Sequence, residues 1–249
     1  MISVCMATYN GERFIKEQID SILPQLSQDD ELIVSDDGST DRTLEIIASY
    51  KDERVKVFHH KKNPEYARIK HCKNFYYATS NFENALKRAK GDYIFLSDQD
   101  DIWKFDKKEK MLKALSDSKA DCVMCNFSVI DEFGRLKIDN GFEKNPIGKS
   151  FVWKILKSRL IGSSMCFSCR ILKTALPFPQ NLIAHDLWIG CLSKKIIFID
   201  DPLTLYRRYD GNVSAGIDKS KNTLIFKIQY RIIFFIQFSK RIIQSILFK

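Results

Sequence analysis

The sequence is poor in glycine and proline, with 10 and 6 respectively among 249 residues, and it carries no low-complexity tract or internal repeat. Collagen-like, linker-rich and solenoid architectures are therefore excluded. What remains is an ordinary globular composition, long enough for one large α/β domain or one domain with an appendage. Residues 1–7 lack the basic region and long apolar region of a secretion signal and read instead as a first strand. Residues 222–249 contain no run of 18 uncharged positions, because Lys227, Arg231, Lys240 and Arg241 interrupt them. A membrane-spanning helix is not expected there.

Seven cysteines are an odd set for a disulfide framework, so a reducing compartment and free thiols are expected. Cys122-x-x-Cys125 and Cys166-x-x-Cys169 suggest zinc, but both pairs sit in apolar, strand-like runs. Positions i and i+3 of a strand face opposite ways, so neither pair chelates one ion. Net charge is +9. Seven of the Lys and Arg residues (219, 221, 227, 231, 240, 241 and 249) lie in the last 31 positions, without a single acid, which leaves residues 1–218 near +2. A nucleic-acid surface over the whole body is not expected.

Apolar runs at 2–8, 31–34 and 55–58 alternate with helical spacing at 12–26 and 44–50, the latter capped by Ser39 or Thr40. The resulting β-α-β-α-β order predicts a parallel sheet covered by helices, with ligands beyond the carboxyl ends of its strands. Further along, 60–74 reads as a basic surface loop and 80–90 as a helix capped by Ser80 or Asn81. A strand and hairpin follow at 121–135, a helix at 151–159, a strand at 161–168 and a helix entered through 183–188. Short strands at 196–199 and 203–206 lead into Arg207-Arg208-Tyr209-Asp210-Gly211-Asn212.

The most informative stretch is Ser97-Asp98-Gln99-Asp100-Asp101, which follows the apolar run 92–96 and precedes Trp103 and a helical pattern at 104–115. Three carboxylates within four residues repel one another and gain nothing by burial. Two readings fit: an acidic cap on the next helix, or ligands for a hard cation such as Mg²⁺ or Mn²⁺ that also carries substrate phosphates. Thr8-Tyr9-Asn10 and Asp36-Asp37 end neighbouring strands at the same edge, and three polar strand ends together favour a site over a cap.

Ala7-Thr8-Tyr9-Asn10-Gly11, the run from Glu31 to Asp41, the run from Gly91 to Trp103, His185-Asp186-Leu187-Trp188 and Leu205-Tyr206-Arg207 occur in an order and spacing that resemble family 2 glycosyltransferases of the GT-A fold. The likeness covers roughly 1–215. It implies a Rossmann-like, mostly parallel central sheet flanked by helices, and transfer of a sugar from a nucleoside diphosphate sugar (UDP- or dTDP-linked) to an acceptor hydroxyl with inversion. By the same resemblance, Thr8, Tyr9 and Asn10 line the nucleoside pocket and Asp37 accepts from the base imide N–H. Asp98 holds the ribose or approaches the metal, and Asp100 binds Mn²⁺ or Mg²⁺ directly. Asp186 is the expected general base. On its residue context alone, Asp186 reads equally as a helix N-cap. His185 and Trp188 are expected in the acceptor cleft, with core packing an equal reading for Trp188. Arg207 and Arg208 are expected to reach the diphosphate. The family often has a histidine just past this arginine; here Tyr209 stands there, so a third protein ligand to the metal is not implied.

The expected division is a catalytic domain at 1–218 and a basic helical tail at 219–249. At 100° per residue, Ile225, Ile228, Ile232, Phe235, Ile236, Ile242, Ile243 and Ile246 fall on one side, and Lys227, Arg231, Gln237, Arg241, Gln244 and Lys249 on the other. Such a helix suits the anionic inner face of the cytoplasmic membrane and a lipid-linked or glycan acceptor, or packing on the body or on a second subunit. Two alternatives complete the reading. A nucleotidyltransferase usually shows a Gly-rich basic phosphate loop, which 7–13 does not supply. A non-catalytic docking module has no reason to keep clustered carboxylates.

Overall fold

Period-2 burial builds the sheet. In β1 (Ile2–Thr8), β2 (Glu31–Asp36) and β4 (Tyr93–Asp98), alternate apolar residues enter two different cores. Val4, Met6, Leu32, Val34 and Phe95 point to one face, whereas Cys5, Ile33, Ile94 and Leu96 point to the other. Strands buried on both faces are the mark of a sheet covered by helices on each side. A computed structural model of the chain describes residues 1–69, 72–144, 146, 159–210 and 223–247. The helix expected at 151–159 falls outside these but for its last residue. Gly211, Asn212 and the boundary expected between 218 and 219 also lie outside them.

The first face is covered by α1 (Ile15–Ile22), α2 (Thr43–Ala48) and α4 (Lys107–Ser118), through Ile15, Ile19, Ile22, Ile47, Met111 and Leu115. On the second face, α3 (Lys73–Leu86) contributes Phe82, Ala85 and Leu86. There α7 (His185–Leu192) contributes Leu187, Trp188 and Ile189, and α8 (Leu224–Leu247) contributes Phe234. The order β3-β2-β1-β4, with β3 at Val55–His59, is parallel throughout. Right-handed crossovers going outward from β1 place α1 and α2 on one face; the return to β4 on the other side of β1 places α3 on the opposite face. The reversal leaves a crevice above β1 and β4, where ligands of such sheets bind.

Beyond β4 the sheet takes in antiparallel pairs as well, although β6 and β9 run parallel. β8 (Met165–Ser168) runs antiparallel to both β4 and β6 (Cys122–Ile130). The two-residue β5 (Ile102–Trp103), reached from β4 by the acidic turn alone, pairs antiparallel with β9 (Ile196–Arg207). A turn this short cannot supply the crossover a parallel strand needs. β9 is one strand where two were expected: register shifts opposite Cys125, Asn126 and Phe127 absorb Asp200 and Asp201 as a bulge before Pro202 pairs with Asn126. The hairpin is present, with β7 (Leu136–Ile138) folding back on β6. Short helices α5 (Gly141–Lys144) and α6 (Leu172–Ala175) complete the described elements.

Three further expectations are corrected. α3 begins at Lys73, so the basic loop is shorter than its charge pattern suggests, and Asn81 is no cap: it is buried mid-helix with its Nδ2 donating to Thr8 O at 3.1 Å. At α2 the capping oxygen belongs to Asp41, whose Oδ1 accepts from Thr43 N at 3.0 Å, while Ser39 and Thr40 bind the β1 turn. Cys5, Cys125, Cys166 and Cys169 are free thiols, and Cys122 and Cys125 do enter opposite cores.

The tail helix is fastened to the body. Phe234 is 1% exposed and meets the Trp188 ring edge-on at 5.9 Å. Arg241, on the polar side of the helix, donates to Thr174 O and Pro177 O, both at 2.6 Å, and Gln237 donates to Gln180 O at 2.8 Å. Phe234→Ala is expected to destabilise the protein by about 3–5 kcal/mol in urea denaturation. Phe235→Ala, at a position 55% exposed, is expected to change stability by less than about 0.5 kcal/mol. Equal effects would show that the helix does not share the core.

Candidate active site

Three parallel strand ends converge in the crevice, as their registers require: Thr8 lies opposite Asp36, and Ala7 opposite Asp98. The turn after β1 is locked from the acidic loop. Gln99 accepts from Tyr9 N at 2.9 Å and donates to Tyr9 O at 3.1 Å, imitating one rung of a β-ladder. A Cβ on Gly11 would stand 2.5 Å from Gln99 Oε1, so the glycine leaves room for the clamp. Asn10, at φ 47°, accepts from Thr40 N at 2.8 Å and so ties the β1 turn to the β2 turn. Tyr9 is 48% exposed beside them. Thr8 differs from expectation. It is buried with its hydroxyl 3.1 Å from Asp36 Oδ1, and it supports the pocket floor without lining it.

Asp37 is nearly covered. Its Oδ1 lies 2.6 Å from His60 Nδ1 and its Oδ2 lies 3.8 Å from Lys62 Nζ. Both partners come from the loop after β3, which pattern reading left without a role.

At the end of β4, Asp98 and Asp100 are partly buried and Asp101 is fully buried. Burial raises all three, and their proximity raises Asp98 and Asp101 further. Asp98 is pushed well above the carboxylate range by burial, then by Asp101, Asp100 and Asp186. Asp101 rises to about 7, through burial and Asp100. Asp100 rises by burial, offset by a hydrogen bond from the Tyr209 hydroxyl and by the nearby charges of Arg207 and Arg208. Asp186 stands in the first turn of α7, past its N-cap Ala184, so it is not the cap. Its Oδ1 accepts from Leu187 N at 2.7 Å, yet burial still lifts it to about 6. Four carboxyl groups from two separate parts of the chain therefore share one electrostatic crevice.

Two buried cations support this acidic loop from behind. Lys107 lies wholly inside, donating to Ser163 O at 2.6 Å and Thr204 Oγ1 at 2.9 Å, with its ammonium 4.5 Å from the Trp103 ring centre. Burial lowers its pKa, and the charges of Asp101 and Asp98 oppose that shift. Arg207 corrects an expectation. Its Nε donates to Asp100 O at 2.8 Å, its backbone N donates to Asp101 Oδ1 at 2.9 Å, and its guanidinium pairs with Glu17. It is spent on shaping the loop and is not free to hold a diphosphate. Arg208 remains at the rim, partly exposed and within electrostatic range of Asp100.

Trp188 is likewise corrected: it is fully buried and donates Nε1–H to Ala175 O at 3.1 Å, so it packs the core and presents no face to a sugar. His185 is partly exposed, with its ring stacked at 4.1 Å on Phe82; burial drops its pKa to about 3, so the imidazole stays neutral. Tyr209, Lys107 and Gln99 are site residues that pattern reading passed over. The only signal for them was adjacency to the acidic motif and the arginine pair.

The family model for glycosyl transferase family 2 matches residues 3–175. This chain belongs to that family. A UDP-Glc:α-D-GlcNAc-diphosphoundecaprenol β-1,3-glucosyltransferase of Escherichia coli, WfaP, is 30% identical over 219 residues, covering 87% of this chain and 80% of its own. Among solved structures, S. aureus TarS 1–349 in complex with UDP-GlcNAc superposes with a TM-score of 0.66 at 20% identity, over 89% of this chain. The match spans 62% of that TarS chain's length. A Pyrobaculum calidifontis mannosyltransferase in complex with GDP-Man and Mn²⁺ follows at a TM-score of 0.56 and 20% identity, over 82% of this chain and 56% of its own. At these identities the two structures establish the shared GT-A-type fold. The glycosyltransferase family membership argues against the nucleotidyltransferase reading.

The raised carboxyl groups carry a stability signature. A carboxyl whose folded pKa exceeds its unfolded value contributes stability that is complete below the unfolded value, near about 3.9. That contribution is lost as pH climbs through the folded values, about 7 for Asp101 and about 6 for Asp186. Taking the metal-free protein from about pH 8 down to about pH 6.5, above the range where neutral His185 opposes the trend, is expected to raise its Tm. A Tm that falls over this window would contradict the burial of these groups.

Proposed function

We propose that this chain is an inverting glycosyltransferase that moves a sugar from a UDP- or dTDP-linked donor to a hydroxyl of a glycan or lipid-linked glycan, in surface polysaccharide assembly. One observation carries the reading: Asp186 and the Asp98–Asp101 loop, 85 residues apart in sequence, lie close enough that the Asp186 charge helps to raise Asp98. In-line displacement needs this arrangement, with a leaving diphosphate on one side and a base on the other.

Asp100, with Asp98 beside it, would hold a divalent ion. The donor set fits a hard cation: all oxygen, mutually repelling, with a buried Asp101 Oδ2 that has no hydrogen-bond partner behind it. Among the described residues no three His, Cys, Asp or Glu side chains close around an ion by themselves, so solvent and the donor's phosphates would complete the shell. When bound, Mn²⁺ or Mg²⁺ supplies charge neutralisation for the departing diphosphate. The Mn²⁺ held by the Pyrobaculum neighbour beside GDP-Man supports this choice.

Tyr9 and Asn10, on the clamped turn, would flank the nucleoside, and Asp37 would accept from the base imide N–H. Asp186, raised to about 6, is ionised at neutral pH and basic enough to take the acceptor hydroxyl's proton. The acceptor oxygen then bonds the anomeric carbon as the bond from that carbon to the phosphate oxygen breaks, and the nucleoside diphosphate leaves. Neutral His185 would border the acceptor side, and Arg208, at the rim within electrostatic range of Asp100, would meet phosphate.

UDP or dTDP with Mn²⁺ is expected to raise the Tm of the wild type but not of Asp100→Ala. Asp186→Asn is expected to keep that shift while losing transfer by about 10²–10⁴-fold. The wild-type rate is expected to decline below about pH 6, where Asp186 becomes protonated. Undiminished turnover in Asp186→Asn would remove it as the base.

The acceptor's location follows from α8. Its packed side holds Phe234 and Arg241, while Ile228, Ile232, Phe235, Ile236, Ile243 and Ile246 remain exposed along the opposite side. Among the described residues no helix is long and apolar enough to cross a membrane. An apolar stripe beside basic side chains, on a helix without an acid, suits the interface of an anionic bilayer. Ile232→Glu with Phe235→Glu and Ile243→Glu is expected to abolish co-flotation with anionic liposomes at unchanged fold. Point changes on this side leave the Phe234–Trp188 contact in place. Co-flotation equal to the wild type would dismiss the membrane reading.

A further inference from the structure

The loop after β3 reaches back over the nucleoside pocket. His60 continues β3 alongside β2, its backbone N donating to Asp36 O at 2.7 Å. Its ring then lies against the next residue, with Nδ1 2.6 Å from Asp37 Oδ1. A carboxylate offers only acceptors, so the imidazole nitrogen is the donor. Two residues on, the Lys62 ammonium sits 3.3 Å from the Tyr9 ring centre and 5.5 Å from that of Tyr77, while also facing Asp37 Oδ2 at 3.8 Å. The loop is seated by Tyr66, whose ring meets Tyr76 at 5.3 Å and Tyr77 at 5.7 Å on α3, and by Asn63, which accepts from Glu65 N at 3.0 Å. Together these leave the Asp37 side chain only 4% exposed.

A base that stacks on the Tyr9 face now under Lys62 and pairs with Asp37 Oδ2 has to displace Lys62. We propose that His60 and Lys62 form a specificity latch on the pyrimidine pocket. His60 fixes one oxygen of Asp37 and so aims the other at an imide N–H. Lys62 fills the stacking face of Tyr9 until a base displaces it. The fixed acceptor selects uracil or thymine, whose ring N3 carries a proton, over cytosine, whose N3 is itself an acceptor. The displaced cation, on a flexible stem, stays within reach of the phosphates that arrive with the base. The latch rests on the reading of Asp37 as the base-recognising carboxylate.

The test compares full-length variants in two assays: UDP by calorimetry, and uridine against cytidine by NMR titration, with bare nucleosides removing any phosphate contribution from Lys62. His60→Ala is expected to weaken UDP about tenfold, the loss of one charge-assisted hydrogen bond, and to erode the preference for uridine. His60→Asn, which places an amide donor near the Nδ1 position, is expected to restore most of both. Lys62→Ala and Lys62→Met are expected to tighten uridine about three- to tenfold by clearing the ring. Asp37→Asn separates the two levels. If it cripples UDP binding while the His60 and Lys62 variants match wild type in affinity and base preference, the latch is overturned and the pocket stands. If Asp37→Asn itself binds like wild type, the pocket assignment falls and the latch with it.

Discussion

Repulsion among Asp98, Asp100, Asp101 and Asp186 is the constraint around which the molecule is arranged. Left to itself, such a cluster would open the carboxyl end of β4 to solvent or stay protonated, and both routes cost binding function. The chain holds the loop in place from behind with two cations that never reach the cleft. Lys107 anchors to Ser163 and Thr204 under Asp101, and Arg207 ties the Asp100 carbonyl and the Asp101 carboxylate to β9. Neither cation forms a direct ion pair with an acidic side chain of the cluster among the described residues. Each therefore lowers the cost of the charges without pairing with them directly.

That arrangement explains why the β5–β9 pair exists at all. A two-residue strand contributes little by itself, but pairing Ile102 with Leu205 and Trp103 with Thr204 sets Arg207 beside Asp101 and Thr204 beside Lys107. The mixed half of the sheet thus serves the acidic turn, whereas the all-parallel half carries the turns after β1 and β2. Gln99 and Gln18 join the two halves. Gln99 clamps the β1 turn, and Gln18 on α1 donates to Ser97 Oγ at 2.7 Å and Asp98 O at 3.0 Å.

How far the sequence could be read follows from which signals are local. Strands β1, β2 and β4 were legible because runs buried on both faces leave few polar positions, and the three acidic or polar strand ends followed from the parallel order. The opposed cysteines followed from period two. Residues whose role depends on a distant partner were not legible. Trp188 beside Asp186 looks like a cleft residue until Ala175 and Phe234 close over it. Arg207 looks like a phosphate ligand until Glu17, 190 residues earlier, takes its guanidinium. Thr8 and Asn81 each carry a polar group that pattern reading assigns to a pocket or a cap, but the packing of α3 on β1 turns both inward. In each case the competing principle is satisfaction of a buried polar group, which a linear pattern does not encode.

The tail illustrates the same limit from the other direction. Helical spacing divides it into an isoleucine side and a polar side, but does not say which of the two packs on the body. In the fold, the polar side is the one that docks, because Arg241 finds the carbonyls Thr174 O, Leu176 O and Pro177 O past the end of α6, and Phe234 and Phe238 flank it against Trp188. Carbonyls leaving a helix end are unsatisfied acceptors, and a guanidinium that spans three of them orients the helix as firmly as an apolar seam. The isoleucines are thereby forced outward. An exposed stripe of this size is costly on a protein that meets only water, so the docking of the polar side is itself the reason to look for an apolar or interfacial surface on the other.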